Sequence, residues 1–439
     1  MIRLMSKAGT YQAVASFSAA KRGRGSGERW CRLDEHLRDS LIGSRLTWLG
    51  TLICVSALPV LADSISDESK LAAANTGFAF DLFRQIMQER PDANVFISPL
   101  SVSTVLQLMD TGAVGPTKQE MDRVLHTDDL PADILNIACK SLNQSLKSQT
   151  NVTLELANAI WYQHGIPLKP AFISANREFF QAESGPVDFL KPQSAQTIND
   201  WATRNTHGKI QDVVRWPFDP ATRVVLANAI YFEGKWERPF DKKDTRPHAF
   251  HLASGVEKET PTMWQHGRFA YHQGDDFQAV RLPYAGRRLW MDVFLPATNS
   301  SLARLLSRFN APEERKKMLA EFIQREGTLA LPRFKLEYSV RLNDSLQALG
   351  MKRAFHNADF SAMSDEALEV SEVKQKSYVE VNEEGTEAAA VTTGIMQTTA
   401  ILRPQPPFEM IVDRPFLFVI EDGRTQSVLF MGIVCDPAH

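Results

Sequence analysis

The segment from Gly385 to Ala400 has the residue types and spacing with the clearest physical consequence, because every second side chain is uncharged and nearly all of them are small. The members of this alternating set are Thr386, Ala388, Ala390, Thr392, Gly394 and Met396. Side chains two residues apart lie on the same face of a strand, so this face could enter a packed sheet without burying a charge. The interaction that the segment offers is the addition of a strand to a sheet.

Two other structures fit the same segment. It could be an exposed linker rich in Thr and Ala, or the start of a helix in which Thr386 is the N-cap and three alanines follow. No Asp, Glu, Lys or Arg occurs from Ala388 to Leu402, which is unusual for a segment that only meets water. The rest of the chain must decide between these structures.

Motifs of enzymatic chemistry are missing from the sequence. It has no G-x-S-x-G, H-E-x-x-H, C-x-x-C, Walker-type or G-x-G-x-x-G pattern, and His207, His266 and His272 stand in polar contexts typical of solvated surface. After residue 62 only Cys139 and Cys435 remain, too few for a disulfide framework or a metal site, and whether these two pair is left open. We therefore predict no enzyme, no cofactor and no metal. A hydrolase built from widely separated residues is the rival.

Length and composition point to a globular protein. The chain has 439 residues, of which 44% are hydrophobic, enough to bury a large core. The formal net charge of −3, with no dense run of Lys and Arg after residue 62, gives no reason to expect nucleic acid.

The first 62 residues differ from the remainder. Residues 46–62 are uncharged, follow Arg45 and end in small residues before Asp63, which predicts a secretory signal cleaved after Ala62. These 17 residues fall short of the roughly 20 that a spanning helix needs, although a membrane anchor is the alternative. Because residues 1–44 show no apolar periodicity, we expect the true start to lie downstream of Met1. The mature protein is predicted to be secreted and free of the membrane.

Residues 63–439 show no repeat and no linker, which predicts a single domain. Apolar residues at helical spacing from Leu71 to Ile86 predict an opening helix that ends before Pro91, and a short strand is expected at 95–97. Ser98 and Pro99 then form the start of a helix that stops near Gly112. Helices early and strands late make an α+β pattern. Further strands are expected at 154–162, 224–232, 277–282, 290–295, 329–336, 378–382, 410–412, 416–420 and 428–434.

Five segments in this chain together resemble the serpin family in order and spacing, over residues 67–437. They are Asn94-Val95-Phe96-Ile97-Ser98-Pro99-Leu100-Ser101, Ile198-Asn199-Asp200-Trp201 with Gly208-Lys209-Ile210, Asn228-Ala229-Ile230-Tyr231-Phe232-Glu233-Gly234-Lys235-Trp236, Glu383-Glu384-Gly385-Thr386-Glu387-Ala388-Ala389-Ala390, and Asp413-Arg414-Pro415-Phe416-Leu417-Phe418.

The resemblance implies a serpin fold of three β-sheets and about eight or nine helices. It also implies a reactive-centre loop, about 384–407, that is held outside the body from Gly385 to about Leu402. In inhibitory serpins a protease cleaves this loop and forms an acyl-enzyme, after which the loop enters the large sheet as a strand and distorts the protease. The hinge residues matched in this chain are Glu383, Gly385, Thr386, Glu387, Ala388, Ala389, Ala390 and Thr392.

Supporting residues follow from the same resemblance. Ser98, Ser101 and Asn228 match the region beneath the centre of the large sheet, which must part for insertion, and Trp236 matches the point where insertion begins. Glu383 is expected to pair with Arg333. Where many serpins have a histidine, this chain has Gln375, which we expect to donate to Asn228 or to a serine hydroxyl.

The family spacing places the cleaved bond at Thr399–Ala400, which suits a protease with an elastase-like or subtilisin-like pocket for small residues. The stretch from Thr399 to Pro415 is several residues longer than is common in the family, so Met396–Gln397 and Leu402–Arg403 stay as alternatives, although Pro404 would hinder cleavage after Arg403. The resemblance implies a monomer whose partner is the target protease. A non-inhibitory serpin acting as a carrier or chaperone is the alternative function.

The interpretation of residues 46–62 makes a direct prediction. N-terminal sequencing of protein recovered from outside the producing cell should begin near Asp63. A sequence that begins near Met1 would contradict both the signal and its cleavage site.

Overall fold

The computed structural model describes residues 58–90, 92–148, 152–309, 311–386 and 406–437, with side chains from Asp67 onward. These residues form nine α-helices, one short 3-10 helix at Lys242–Asp244 and fifteen strands. The helices are α1 (Leu58–Glu89), α2 (Pro99–Asp110), α3 (Gly115–Val124), α4 (Ala132–Lys147), α5 (Pro170–Phe180), α6 (Pro192–Asn205), α7 (Leu302–Phe309), α8 (Pro312–Ala320) and α9 (Asn343–Leu349). The strands are β1 (Val95–Ile97), β2 (Val152–Gln163), β3 (Glu183–Val187), β4 (Val224–Lys235), β5 (Arg246–His251), β6 (Glu257–Gln273), β7 (Phe277–Pro283), β8 (Leu289–Pro296), β9 (Ile323–Pro332), β10 (Phe334–Arg341), β11 (Glu372–Asn382), β12 (Gly385–Thr386), β13 (Phe408–Ile411), β14 (Phe416–Asp422) and β15 (Ser427–Val434).

A six-stranded sheet holds the region of interest, in the order β10-β11-β12-β4-β2-β3. Its central strand β4 is buried along nearly its whole length, because it lies between two apolar clusters. One cluster is the main core of the protein, and the smaller one contains Trp161, Trp201 and Ile198 on the opposite face. A strand buried on both faces is apolar along most of its length, and 224–232 is apolar at every position except Asn228.

The remaining strands form one nine-stranded sheet, which means that the three predicted sheets are hydrogen-bonded into two within the described residues. The connection is β6, a strand of 17 residues that pairs in turn with β5, β9 and β7. The α+β class, the serpin fold and the expected number of helices are otherwise confirmed.

The opening of the domain follows the predicted local rules. Helix α1 ends at Glu89, before Pro91. Ser98 is the N-cap of α2, where its hydroxyl accepts a hydrogen bond from the Ser101 amide, and Pro99 occupies the first turn. Helix α1 begins at Leu58, inside the segment assigned to a signal, so the cleavage after Ala62 stays a prediction.

One predicted strand is wrong. Residues 329–336 belong to two strands, since β9 ends at Pro332 and β10 begins at Phe334. Proline supplies no amide hydrogen for a continuing ladder, and Arg333 between the two strands donates its amide to the carbonyl of Pro261 instead. Strand β6 was missed because its half-exposed residues lack a clear alternation of apolar and polar types.

In the described part of the chain, no helix is both long and apolar enough to cross a membrane. Cys139 and Cys435 are both buried and both free, which answers the question left open about their pairing.

Candidate functional site

The beginning of the predicted loop already lies inside the six-stranded sheet. Gly385 and Thr386 form β12 between β4 and β11, antiparallel to both. Gly385 is opposite Lys235 and Asn382, and Thr386 is opposite Gly234 and Val381. Thr386 is completely buried. The expectation that the loop is held outside the body from Gly385 onward is therefore wrong for its first two residues.

Glycine is required at position 385 by the closeness of β4. A Cβ atom there would overlap the carbonyl oxygen of Gly234 and crowd the Cα of Lys235. The backbone of Gly385 also has a φ of +150°, a region that side chains with a Cβ rarely adopt. The chain can therefore turn into the sheet only where this glycine stands.

A pair of stacked aromatic side chains lies next to β12, and one of them contacts Thr386. Its hydroxyl shares a hydrogen bond of 2.8 Å with the phenol of Tyr284, and the Tyr284 ring stacks on Trp236 with ring centres 4.7 Å apart. The Trp236 indole donates a hydrogen bond of 3.0 Å to the carbonyl of Asn382 at the end of β11. Burial raises the pKa of Tyr284, so the phenol stays neutral and keeps its hydrogen bond to Thr386.

Glu383 fixes the chain just before the hinge. Its carboxylate is 2% exposed and accepts hydrogen bonds from Arg333 Nε at 2.7 Å, from Arg333 Nη2 and from the Thr245 hydroxyl. Burial acts to raise the pKa of Glu383, but the bonds from Arg333 and Thr245 and the charge of Arg333 outweigh it, so the pKa lies below its ordinary value. The structure thus brings together the pair expected from the resemblance.

Main-chain bonds hold the same short segment from the other side. The Trp236 amide donates to the carbonyl of Glu384 at 3.0 Å, and the Phe240 amide donates to the carbonyl of Glu383 at 2.8 Å. Lys242 forms an ion pair of 2.5 Å with the Glu384 side chain. Residues 383 and 384 are therefore anchored, and the backbone can change direction only beyond them.

A buried polar cluster lies beneath the centre of the sheet, where α2 meets β4, β11 and β2. The Ser101 hydroxyl donates to Asn228 Oδ1 at 2.5 Å, and Asn228 Nδ2 donates to Asn158 Oδ1 at 2.9 Å. The Ser98 hydroxyl donates to the carbonyl of Leu429 at 2.7 Å. All four polar residues of this cluster are at most 4% exposed, so each hydrogen bond offsets a desolvation cost.

Gln375 contacts a different partner from the ones expected. Its amide nitrogen donates to the Ser98 carbonyl at 2.9 Å, and its oxygen accepts the Ser98 amide at 3.0 Å. It donates neither to Asn228 nor to a serine hydroxyl. The side chain can bind the main chain twice because a primary amide offers both a donor and an acceptor, which match the C=O and N–H groups of the one residue Ser98.

The two strands that flank β12 are separated at one end only. Below the hinge, residues 372–377 of β11 pair directly with residues 225–230 of β4 as parallel strands, and Gln375 lies opposite Asn228 in this closed part. Above it, β12 lies between them. Strands β4 and β11 therefore form a fork, paired directly in its lower part and separated by β12 in its upper part. The polar cluster lies beneath the directly paired part.

Three residues that contact the hinge or the polar cluster were not predicted from the sequence. Asn158 carried a signal, because it is a polar residue on the buried face of β2 that also bears Leu154, Leu156 and Ile160. Tyr284 and Thr245 carried none, since both reach the hinge from more than 100 residues away in the chain.

The rest of the predicted loop lies outside the described residues. This applies to the hinge positions Glu387, Ala388, Ala389, Ala390 and Thr392, and to the candidate cleavage positions Met396, Thr399, Ala400, Leu402 and Arg403. At the described far end of the loop, Arg325 donates to the carbonyl of Pro406 at 2.9 Å, shortly before β13 begins at Phe408.

Comparison with known protein families shows which family the chain belongs to. Residues 73–437 match the model of "Serpin (serine protease inhibitor)". The chain belongs to the serpin family. Serpins of this description are inhibitors of proteases and not enzymes.

Relatives and solved structures agree with this membership. The chain is 38% identical to iripin-2 of Ixodes ricinus over 84% of its own length and 94% of that protein, and 35% identical to leukocyte elastase inhibitor A of Mus musculus over 84% and 100%. The crystal structure of human thyroxine-binding globulin complexed with thyroxine superposes with a TM-score of 0.77 at 26% identity, covering 84% of this serpin and 99% of that chain.

The ion pair of Glu383 predicts a dependence of stability on pH. A carboxyl group whose pKa is lowered by folding stabilises the protein fully above its unfolded pKa, and this contribution is lost as the pH falls through the folded pKa. Glu383→Gln should therefore lower the free energy of unfolding by about 1–2 kcal/mol at neutral pH, allowing for the partial exposure of Arg333. The gap to the parent protein should close as the pH falls below the ordinary value of 4.5, measured by urea unfolding at several pH values.

Glu384→Gln is the matched control, because its partner Lys242 is largely exposed. This change should cost less stability than Glu383→Gln does, because water and salt screen an exposed ion pair. A gap for Glu383→Gln that stays constant down to about pH 3 would contradict the assigned role of the ion pair.

Proposed function

We propose that this serpin is a secreted inhibitor of endopeptidases that acts as a suicide substrate. Serine endopeptidases are the proposed targets, and cysteine endopeptidases are the alternative. The protease cleaves the loop, becomes attached as an acyl-enzyme, and is distorted when the loop enters the six-stranded sheet between β4 and β11. The single observation that carries the proposal is β12, which already occupies the upper end of that position.

The register of β12 supports the proposal further. If the strand continued beyond Thr386 in the same antiparallel register, Thr392 would lie between Asn228 of β4 and Gln375 of β11. Paired residues on neighbouring strands share a face, so the Thr392 hydroxyl would reach the polar cluster. Ala388 would lie opposite Phe232 on the same face, where a methyl group suits apolar surroundings.

The energetics favour insertion after cleavage. The inserted segment gains a ladder of main-chain hydrogen bonds on both sides and buries apolar surface, at about 25 cal/mol for each Å². Before cleavage the loop is tied at both ends, to Glu384 on one side and to β13 on the other. Cutting the loop removes the second tie and allows the rest of the segment to follow Thr386.

The target is proposed from the residues around the expected cleavage point. Thr399 and Ala400 would suit an elastase-like or subtilisin-like pocket that accepts small side chains. Relatives named as leukocyte elastase inhibitors support the first of these classes. The bonds after Met396 and Leu402 stay as alternatives.

A carrier function is the second candidate, favoured by the similarity to thyroxine-binding globulin, whose structure holds thyroxine. The hinge argues against it, since its alternate residues are small and uncharged as insertion requires. Nicking the loop and then measuring the thermal midpoint separates the two. An inhibitor should gain stability on cleavage, whereas a carrier that does not insert its loop should gain none.

Substitutions in the hinge test the insertion step. Thr386→Arg and Thr392→Arg would force an unpaired charge into the sheet, at a cost of several kcal/mol. Both should convert the inhibitor into a substrate, with the number of inhibitor molecules consumed for each protease trapped rising at least about tenfold.

Glu387→Arg is the matched control, because in the register of β12 this charged position would pair with the partly exposed Glu233 and Glu380 on the other face of the sheet. It should keep a protease complex that survives boiling in detergent. Survival of that complex in Thr386→Arg would rule out insertion as described. Loss in Glu387→Arg together with Thr386→Arg would rule out the proposed register.

A panel of serine and cysteine proteases tests the function as a whole. Incubation should give a covalent complex with at least one protease that prefers small residues. The released C-terminal peptide should have the mass of a peptide that begins at Ala400. Cleavage of the loop by every protease tried, without any stable complex, would contradict an inhibitory function.

A further inference from the structure

A cavity of about 570 Å³ lies beyond the end of β4, against β6, β7 and the start of β8. This is the size of pockets that hold small organic molecules. Much of its wall is apolar and aromatic, formed by Trp236, Phe240, Phe269, Leu282 and Trp290. It is separate from the sheet position that the loop would occupy.

The charges around this cavity are unbalanced. Four guanidinium groups line it, and only one carboxylate, that of Glu237. Two of these cations are neutralised: Arg281 pairs with Asp292 at 2.5 Å, and Arg287 pairs with Glu237 at 3.0 Å. Arg238 and Arg268 have no carboxylate within 4.0 Å among the described residues. A surplus of two positive charges is left facing the cavity.

Arg238 is held in place, although it lacks a counterion. Its guanidinium donates to the carbonyl of His266 and lies 5.4 Å from the centre of the Phe269 ring. Gln265 donates to the main-chain carbonyl of Arg238 at 3.2 Å. A Cβ at position 267 would overlap the guanidinium, so Gly267 leaves the space that it occupies. The head group is thereby fixed at the cavity wall before any ligand arrives.

Partial burial makes the missing counterion more costly. Arg238 is half-buried, and burial lowers its pKa because no carboxylate compensates the loss of water. An anion entering the cavity would supply that compensation through charge-assisted hydrogen bonds, for which a fixed guanidinium is well suited. The apolar wall would at the same time cover the body of the ligand.

We propose that this cavity binds a small organic anion, whose flat or aliphatic body packs against the aromatic wall and whose carboxylate or sulfonate-type group contacts Arg238 and Arg268. The site is independent of protease inhibition. It borders the hinge through Trp236, which forms part of the cavity wall and donates to Asn382.

A matched pair of fluorescent probes tests the site on the intact protein. Anilinonaphthalene sulfonate carries an apolar body and a negative charge, and phenylnaphthylamine has the same body without the charge. The charged probe should bind more tightly, with energy transfer from the cavity tryptophans. Arg238→Met, which keeps most of the packing, should weaken the charged probe about tenfold and leave the uncharged probe unchanged.

Two further variants complete the experiment. Arg268→Gln alters an exposed side chain and should weaken the charged probe about two- to fivefold, whereas Arg215→Gln, an exposed arginine on the loop before β4, should have no effect. Equal affinity for both probes would overturn the proposal, as would unchanged affinity in a folded Arg238→Met protein. If that variant does not fold, the difference between Arg268→Gln and Arg215→Gln decides.

Discussion

The pairing of β4 with β11 is the interaction on which the rest of this structure depends. The two strands are parallel and directly bonded at 225–230 and 372–377, and they are kept apart above by Gly385 and Thr386. Closing the fork would expel β12, and opening it further would cost the direct pairs and expose the polar cluster. Strand addition repays that cost only if the new strand restores the ladder on both sides and brings no charge.

The anchored residues before the hinge determine where motion can start. Glu383 is held by Arg333 and Thr245, and the carbonyls of residues 383 and 384 accept amides from Phe240 and Trp236. A chain fixed in this way cannot drift sideways, so any advance of the loop proceeds through Gly385. The break between β9 and β10 leaves Arg333 outside a regular strand, which allows its side chain to reach Glu383.

Much of the fold and part of the site could be predicted from the sequence. Ser98 and Pro99 mark the start of α2 by local rules, and the alternation beyond Gly385 marks a segment fit for insertion. What could not be predicted depends on distant contacts. The hydrogen bond between Tyr284 and Thr386 joins residues 102 positions apart, and the partial entry of the hinge depends on a balance of pairing energies at the top of the sheet. The partner of Gln375 depends on how closely α2 approaches β11, which no local pattern records.

The order of Thr and Ala in the hinge carries more information than its lack of charge. A neutral segment could enter the sheet in several registers, because the alternation of faces repeats every two residues. The side chains distinguish them. If the register begun by β12 continued, the hydroxyl of Thr392 would face Asn228 and Gln375, whereas a slip of two residues in one direction would set it against Leu226 and Val373 in the apolar core. In the same register, the hydroxyl of Thr386 already forms a hydrogen bond with Tyr284. Hydroxyls at the polar rows and methyl groups at the apolar rows would therefore fix how far the strand enters, and with it how far an attached protease is carried.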